Sequence, residues 1–434
     1  MTILHISQPV DGGVARVVVD LVRGQREAGC RVLVACPQGG RLAAEAAGAG
    51  ALVLDWPAGR SPGPGTAAEV WRLRRIVRGA KPDVLHLHSA KAGLAGRLAV
   101  RGSVPTVFQP HAWSFAAVEG PLANATLRWE RFATRWARSV LCVSERERLD
   151  GEAAGLPADW RVIPNGVDVR HYAPADSAAR RAARMSLGLD LDAPLAVCVG
   201  RLCRQKGQDV LLAAWPEVVG RLPAARLALV GDGPEATQLA DQVRELPEPS
   251  RVRLAGDVAD PRPWLAAADL VVLPSRWEGM ALAPLEAMAT GRPVLLSDVP
   301  GARECLPPGQ VADCLVEPEN PAELARRLIE ALSDPIECER RGAIARRHVT
   351  DRHDVRNVIA QVDDLYRTVL RTNSVASPPM SPSASPSVSP SPSSPPSSPP
   401  TSSPSPPSDP PGATTPGAPA PRSARRAARV SRRS

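Results

Sequence analysis

Residues 269–304 read DLVVLPSRWEGMALAPLEAMATGRPVLLSDVPGARE, and their punctuation sets the architecture. The apolar run DLVVLP predicts a strand. A loop, Ser275–Gly279, follows it, and a helix starts near Ala283–Pro284, where proline suits the first helical turn. The helix stops at Gly291, a residue type suited to the left-handed position after a helix end. A second apolar run, RPVLLSD, predicts the next strand. Strand, helix and strand at this spacing form a βαβ unit and hence part of a parallel sheet.

The same stretch carries candidate chemistry. The amides of Gly279, Met280 and Ala281 fall at or just before a helix N-terminus, where unpaired N–H groups and the helix dipole favour an anion. Gly279 lets a phosphate approach the backbone closely. Glu278 and Glu286 bracket this position. Two carboxylates repel a phosphate but accept hydrogen bonds from hydroxyls, such as those of a sugar and a ribose.

Outward from this unit the alternation continues in both directions. Before it, LAVCVGR, ARLALVGDG and VRLAGDV read as strands of the same series. Earlier still, MTILHIS, RVLVACP, ALVLDWP, DVLHLHS, TVFQPH, SVLCVSE and RVIPNG form a first series. Residues 174–194 are polar and turn-rich and separate the two. The expected organisation is α/β: a first domain over 1–170, a second over 171–354, a helix over 355–371 and a Ser/Pro-rich tail over 372–434. Serine and proline bury nothing and remove donors, so the tail is expected to be disordered. Ligands of open parallel sheets bind beyond the strands' carboxyl ends, so the cleft between the domains is the expected site.

Two further turns look onto that cleft. GRLCRQKGQDVLLAAW, residues 200–215, follows a strand and places Arg201 and Lys206 around a glycine-bounded turn. Two fixed cations there can neutralise a departing diphosphate. Lys206 is one of only three lysines beside 50 arginines, so its presence in this turn stands out. In SQPVDGGVARVVVDLV, residues 7–22, Gly12 and Gly13 let the backbone approach a ligand from the first domain.

Composition narrows the class. The net charge is +8, but the tail holds six arginines and Asp409, which leaves +3 on residues 1–373. A nucleic-acid-binding core is therefore not expected. No apolar run approaches the roughly 18–20 residues of a membrane span, and MTILHISQ lacks the basic start of a secretory signal. The eight cysteines form no C-x-x-C pair and read as small buried hydrophobes in a reducing compartment. No metal site is expected. The D-x-D at Asp190–Asp192 precedes a strand, on the wrong side of the sheet. His86 and His88 face one way on a strand end but have no third ligand in sight.

E-x7-E within EGMALAPLEAMATGRPVL, R-x4-K within GRLCRQKG, LVGDGPE, VIPNGVD and the N-terminal DGG together resemble the retaining family-4 glycosyltransferases of GT-B fold, over residues 1–371. The resemblance implies two Rossmann-like domains facing a central cleft. It implies a nucleotide-diphosphate sugar as donor, a hydroxyl acceptor, retained anomeric configuration, and no metal or other cofactor. By that resemblance Arg201 and Lys206 hold the diphosphate, Glu286 the ribose, and Glu278 a donor-sugar hydroxyl. Gly279, Met280 and Ala281 offer amides, Gly13, next to Gly12, closes over the donor, and His111 in QPHAW lies beside the donor sugar. The last helix, Val355–Leu370, crosses back to the first domain.

On the acceptor side, His88, Lys91 and Ser144 sit at strand ends facing the cleft. A helix over 127–140, with Trp129, Phe132 and Trp136 among arginines, suits either a core face or an anionic membrane carrying a lipid-linked acceptor. The expected location is cytoplasmic, or peripheral at the inner membrane face, with no nucleic-acid partner. Three other readings stand beside this one. The G-x-G-x-x-A at 231–236 matches a dinucleotide fingerprint, but in the second βα unit of its domain rather than the first. An inositol-phosphate N-acetylglucosaminyltransferase-like enzyme would need a basic cluster, for which Lys91 and Arg97 are candidates. An inactive GT-B interaction protein is the third.

Overall fold

The computed structural model describes residues 1–116, 118 and 120–375, with side chains to 371. The Ser/Pro-rich tail lies outside the described residues beyond 375. Seven strands make a first sheet: β1 Thr2–Ser7, β2 Arg31–Cys36, β3 Leu52–Asp55, β4 Val84–His88, β5 Thr106–Gln109, β6 Ser139–Cys142 and β7 Trp160–Val162. Six make a second: β8 Leu195–Val199, β9 Arg226–Val230, β10 Val252–Gly256, β11 Leu270–Leu273, β12 Val294–Ser297 and β13 Leu315–Val316. Every pairing is parallel. The strands are apolar on both faces because helices cover both sides.

The strand orders are β3-β2-β1-β4-β5-β6-β7 and β10-β9-β8-β11-β12-β13. Order reverses between β1 and β4 in one sheet and between β8 and β11 in the other, and ligand crevices open at such points. The Gly12–Gly13 turn follows β1, the Arg201–Lys206 turn follows β8, and the Ser275–Gly279 loop follows β11.

One apolar cluster joins the halves. It runs from Ile3 and Val18 through Val362, Leu365, Tyr366 and Val369 to Leu195 and Val271. The last helix, Val355–Val375, lies on the Gly12–Glu27 helix. Gly24 makes room for it, since a Cβ there would sit 2.7 Å from Ile359 Cδ1. Val167 N donates to His353 O at 2.8 Å and Val355 N to Val167 O at 3.0 Å, which ties this helix to the connection between the sheets. Two cross-links hold the halves together: an Arg41–Asp257 ion pair at 2.6 Å, and Glu304, which accepts from the Glu145 and Arg146 amides at 2.6 and 2.9 Å.

Two sequence expectations need correction. The polar stretch at 174–194 contains a helix, Ser177–Leu187, capped by Asp176. Its buried anchor is Arg184, which donates to Ala267 O at 2.9 Å and to Asp269 at 2.8 Å, while Ala183 and Leu187 pack on the core. The helix expected over 127–140 is instead Gly120–Ala133, followed by a 3-10 turn, Thr134–Trp136, and then β6. Trp129, Phe132 and Trp136 pack on one another, with ring centroids 5.1–6.2 Å apart. Strand β13, two residues long, is too short to leave a pattern. All eight cysteines are buried and free, in keeping with their reading as small hydrophobes.

Candidate active site

The Ser275–Gly279 loop is fastened to the turn after β8. Arg276 N donates to Gln205 O at 2.8 Å, and the Arg276 guanidinium bridges Asp209 at 2.7 Å and Glu319 at 2.7 Å. Gln205 Nε2 donates to Trp277 O at 3.0 Å. Lys206 Nζ then reaches Glu278 Oε1 at 2.5 Å. The ammonium expected on a diphosphate and the carboxylate expected on a sugar hydroxyl therefore hold each other. Arg201 has no carboxylate partner among the described residues. Arg60, from the first half, lies near it: burial first, and then the Arg201 charge, lower the Arg60 guanidinium from its usual range. Sequence reasoning missed Arg60, Arg276 and Gln205, because each acts through partners remote in the chain.

The helix after the loop, Leu282–Ala289, has Ala281 at its N-cap, which supplies no side-chain cap. Its first amides are open to an acceptor. Gly13 faces it, since a Cβ there would sit 3.8 Å from Leu282 Cγ. Asn165 Nδ2 donates to Met280 O at 2.7 Å and orients the loop. Gly279 is a point of close approach: a Cβ there would sit 2.9 Å from the His111 carbonyl carbon and 3.1 Å from Ala112 N. His111 and Ala112 take positive φ, 57° and 122°, a conformation unfavourable for residues with a side chain.

Glu147 maintains that conformation. Its carboxyl accepts from Ala112 N and Val143 N, each at 2.7 Å. It is buried, and burial pushes it up to about 7. A signal for it was present, because Ser144 and Glu147 form the S-x-x-E spacing of a capping box. Here the Ser144 hydroxyl caps the Glu147 amide at 3.1 Å, while the Glu147 side chain reaches beyond the helix to Ala112.

Glu286 points elsewhere. It accepts from Tyr172 Oη at 2.9 Å in a cavity of about 260 Å³ shared with Arg16, Asp20, His171 and Leu282. Burial raises its carboxyl, opposed by Tyr172 and Arg16. Glu278 and Glu286 thus project into different surroundings.

The acceptor-side trio is committed internally. Ser144 is fully buried as the helix cap described above. Lys91 is buried in an ion pair with Glu69 at 2.6 Å and donates to Ser61 O at 3.1 Å. His88 is fully buried, with His5 Nδ1 at 3.0 Å and His111 Nε2 at 3.2 Å. Arg97 is likewise buried and paired with Glu130 at 2.8 Å. A strand-end position alone does not reveal whether another residue has already claimed the side chain.

The third imidazole missing from the sequence reading exists. Register pairs His5 on β1 with His86 on β4, and ligating atoms of His5, His86 and His88 lie within 4.8 Å of one another. The D-x-D is a turn before β8, where Asp190 accepts from the Asp192 and Ala193 amides. The G-x-G-x-x-A glycines pack on the neighbouring turn: a Cβ on Gly231 would sit 2.1 Å from Gly200 O, and one on Gly233 2.2 Å from Leu202 O. Their role is to seat one loop on another, not to open a dinucleotide site.

Comparison with known proteins agrees with this arrangement. The model for Glycosyltransferase Family 4 matches residues 11–171, and that for Glycosyl transferases group 1 matches residues 193–334. The chain is 30% identical over 272 residues to the Escherichia coli UDP-Gal:alpha-D-GlcNAc-diphosphoundecaprenol alpha-1,3-galactosyltransferase, covering 61% of this chain and 70% of that one. It is 31% identical to the D-inositol 3-phosphate glycosyltransferase of Thermobispora bispora, covering 64% and 69%. Anabaena Alr3699/HepE, solved with UDP-glucose, superposes with a TM-score of 0.74 at 24% identity, covering 85% of this chain and 100% of that one. Sucrose-phosphate synthase from Thermosynechococcus elongatus gives 0.73 at 22%, covering 86% of this chain and 100% of that one. The two parallel sheets, the Lys206–Glu278 contact that joins R-x4-K to E-x7-E, and these family matches make this chain a glycosyltransferase of family 4, with the GT-B fold.

Proposed function

We propose that this glycosyltransferase retains anomeric configuration, needs no metal, and moves a sugar from a nucleotide diphosphate to the hydroxyl of a lipid-linked acceptor. The observation that carries the reading is the Lys206–Glu278 pair beside an uncapped helix N-terminus and the carboxylate-free Arg201. On donor binding, Lys206 turns to the diphosphate and Glu278 accepts from a sugar hydroxyl. The donor's anomeric C–O bond breaks through an oxocarbenium-like state. Arg201, Lys206 and the Gly279–Ala281 amides stabilise the charge that gathers on the diphosphate. The acceptor oxygen bonds to the anomeric carbon on the face the diphosphate leaves, and the acceptor proton passes to the departing phosphate oxygen. Glu286 with Tyr172 is the proposed ribose contact, and His111 lies beside the sugar.

The lipid-linked acceptor is supported by the name of the Escherichia coli relative, which acts on a diphosphoundecaprenol. Exposed Leu122 and Phe132 among Arg128, Arg131 and Arg135 support a peripheral contact with an anionic membrane. Among the described residues, no helix is long and apolar enough to cross one. An inositol-phosphate acceptor fits less well, because Lys91 and Arg97 are both spent on buried carboxylates.

A thermal-shift panel of UDP-, GDP- and ADP-linked sugars on the full-length protein tests the donor class. The melting temperature rises with one nucleotide-sugar class and not with NAD(P)H. A rise with NAD(P)H and none with any nucleotide sugar would overturn the reading.

A further inference from the structure

Behind His111, a line of buried side chains runs through the first sheet. His88 Nδ1 lies 3.2 Å from His111 Nε2, His5 Nδ1 3.0 Å from His88 Nε2, and Gln25 Oε1 2.8 Å from His5 Nε2. His5, His88 and Gln25 are fully buried. Burial lowers His5 to about 4 and His111 to about 3, and holds His88 well below the usual range. All three imidazoles are therefore neutral near pH 7, and each carries one N–H.

The direction of the line is set at its far end. The Gln25 amide turns its Oε1 to His5 Nε2 at 2.8 Å. A carbonyl oxygen only accepts, so His5 donates from Nε2 and its Nδ1 is bare. Bare Nδ1 of His5 accepts from His88 Nε2–H. Bare Nδ1 of His88 then accepts from His111 Nε2–H. Every link after Gln25 has a single allowed sense.

We propose that Gln25, His5 and His88 are positioning residues that hold His111 as its Nε2–H tautomer. That leaves Nδ1 as the one ring nitrogen free for the donor, where it accepts a hydrogen bond from a sugar hydroxyl. The first part stands on the hydrogen-bond geometry; the contact with sugar rests on the donor-site reading above. A site built to accept from a hydroxyl discriminates against donors lacking it, because its buried acceptor is then left unpaired.

The test is histidine-selective 15N labelling of the full-length protein and long-range 1H–15N correlation at pH 7, first without ligand. The chain has only seven histidines, so single variants suffice for assignment. His111 is expected with its proton on Nε2. Its proton on Nδ1 would overturn the line, as would stoichiometric Zn2+ uptake, since an ion among His5, His86 and His88 would take the nitrogens that His5 and His88 share. His88→Leu is expected to release the fixed tautomer and lower kcat about ten-fold, the scale of one hydrogen bond, with the donor KM little changed. His88→Asn, whose Oδ1 can replace Nδ1 as acceptor, is expected to restore the Nε2–H form. A folded His88→Leu protein with the His111 tautomer unchanged would overturn the positioning role. Addition of a UDP-sugar that raises the melting temperature is expected to shift His111 Nδ1. An unmoved Nδ1 would overturn the sugar contact while leaving the tautomer assignment standing.

Discussion

Lys206 and Glu278 sit 2.5 Å apart with side chains only 20% and 12% exposed, so neither charge is well solvated when alone. Lys206→Ala is expected to lower kcat/KM at least about 100-fold, the scale of losing one preorganised charge in a transition state. Steady-state kinetics with the donor found by thermal shift would check this, and turnover within two-fold of wild type would remove Lys206 from the site. Both residues were legible as candidates because each belongs to a short motif next to a strand end; their contact with each other was not. Lys91, Ser144 and His88 occupy similar strand-end positions, yet their partners are Glu69, the Glu147 amide, and His5 with His111. Residue type and strand-end setting predicted accessibility for all three; remote partners decided otherwise for Lys91 and His88, and a local helix cap did so for Ser144. Glu147 shows the converse, since its capping-box spacing was visible while its reach to Ala112 was not.

At the level of elements, β1 and β4 lie side by side and carry His5, His86 and His88 into one dry layer. Burial at His5 has a measurable consequence. An unfolded histidine binds a proton near 6.5, whereas His5 in the folded chain binds one only near 4. Between those values the unfolded chain holds more protons, so this group's contribution to stability is lost as pH falls. Asp20 and Glu147, raised by burial to about 6 and about 7, act in the opposite sense. Comparison with His5→Gln cancels them. Relative to wild type, the variant is expected to gain about 3 kcal/mol between pH 6.5 and pH 4, at about 1.4 kcal/mol per unit. Urea melts of both proteins at the two pH values provide the check, and a constant difference would contradict a buried, neutral His5. Twelve strands were legible as apolar runs. The Ser177–Leu187 helix was not, because its buried anchor, Arg184, is a charge satisfied by carbonyls and Asp269.

For the molecule as a whole, two α/β halves follow from the repeated strand–helix pattern, but the meeting of their loops does not. Gly279 touches the His111–Ala112 backbone, and Glu304 caps a helix of the other half. No local pattern links these residues; the shared apolar cluster and the returning helix bring them together. Arg60 of the first half also lies near Arg201 of the second. In the proposed reaction a diphosphate lies there, and the acceptor meets the same face because its proton passes to the departing phosphate oxygen. Stereochemistry therefore tests the account most directly. The full-length protein would be given an α-linked nucleotide sugar that raises its melting temperature, and the sugar first released by hydrolysis followed by real-time 1H NMR before mutarotation. Appearance of the α anomer first is the predicted result, and appearance of the β anomer first would contradict it.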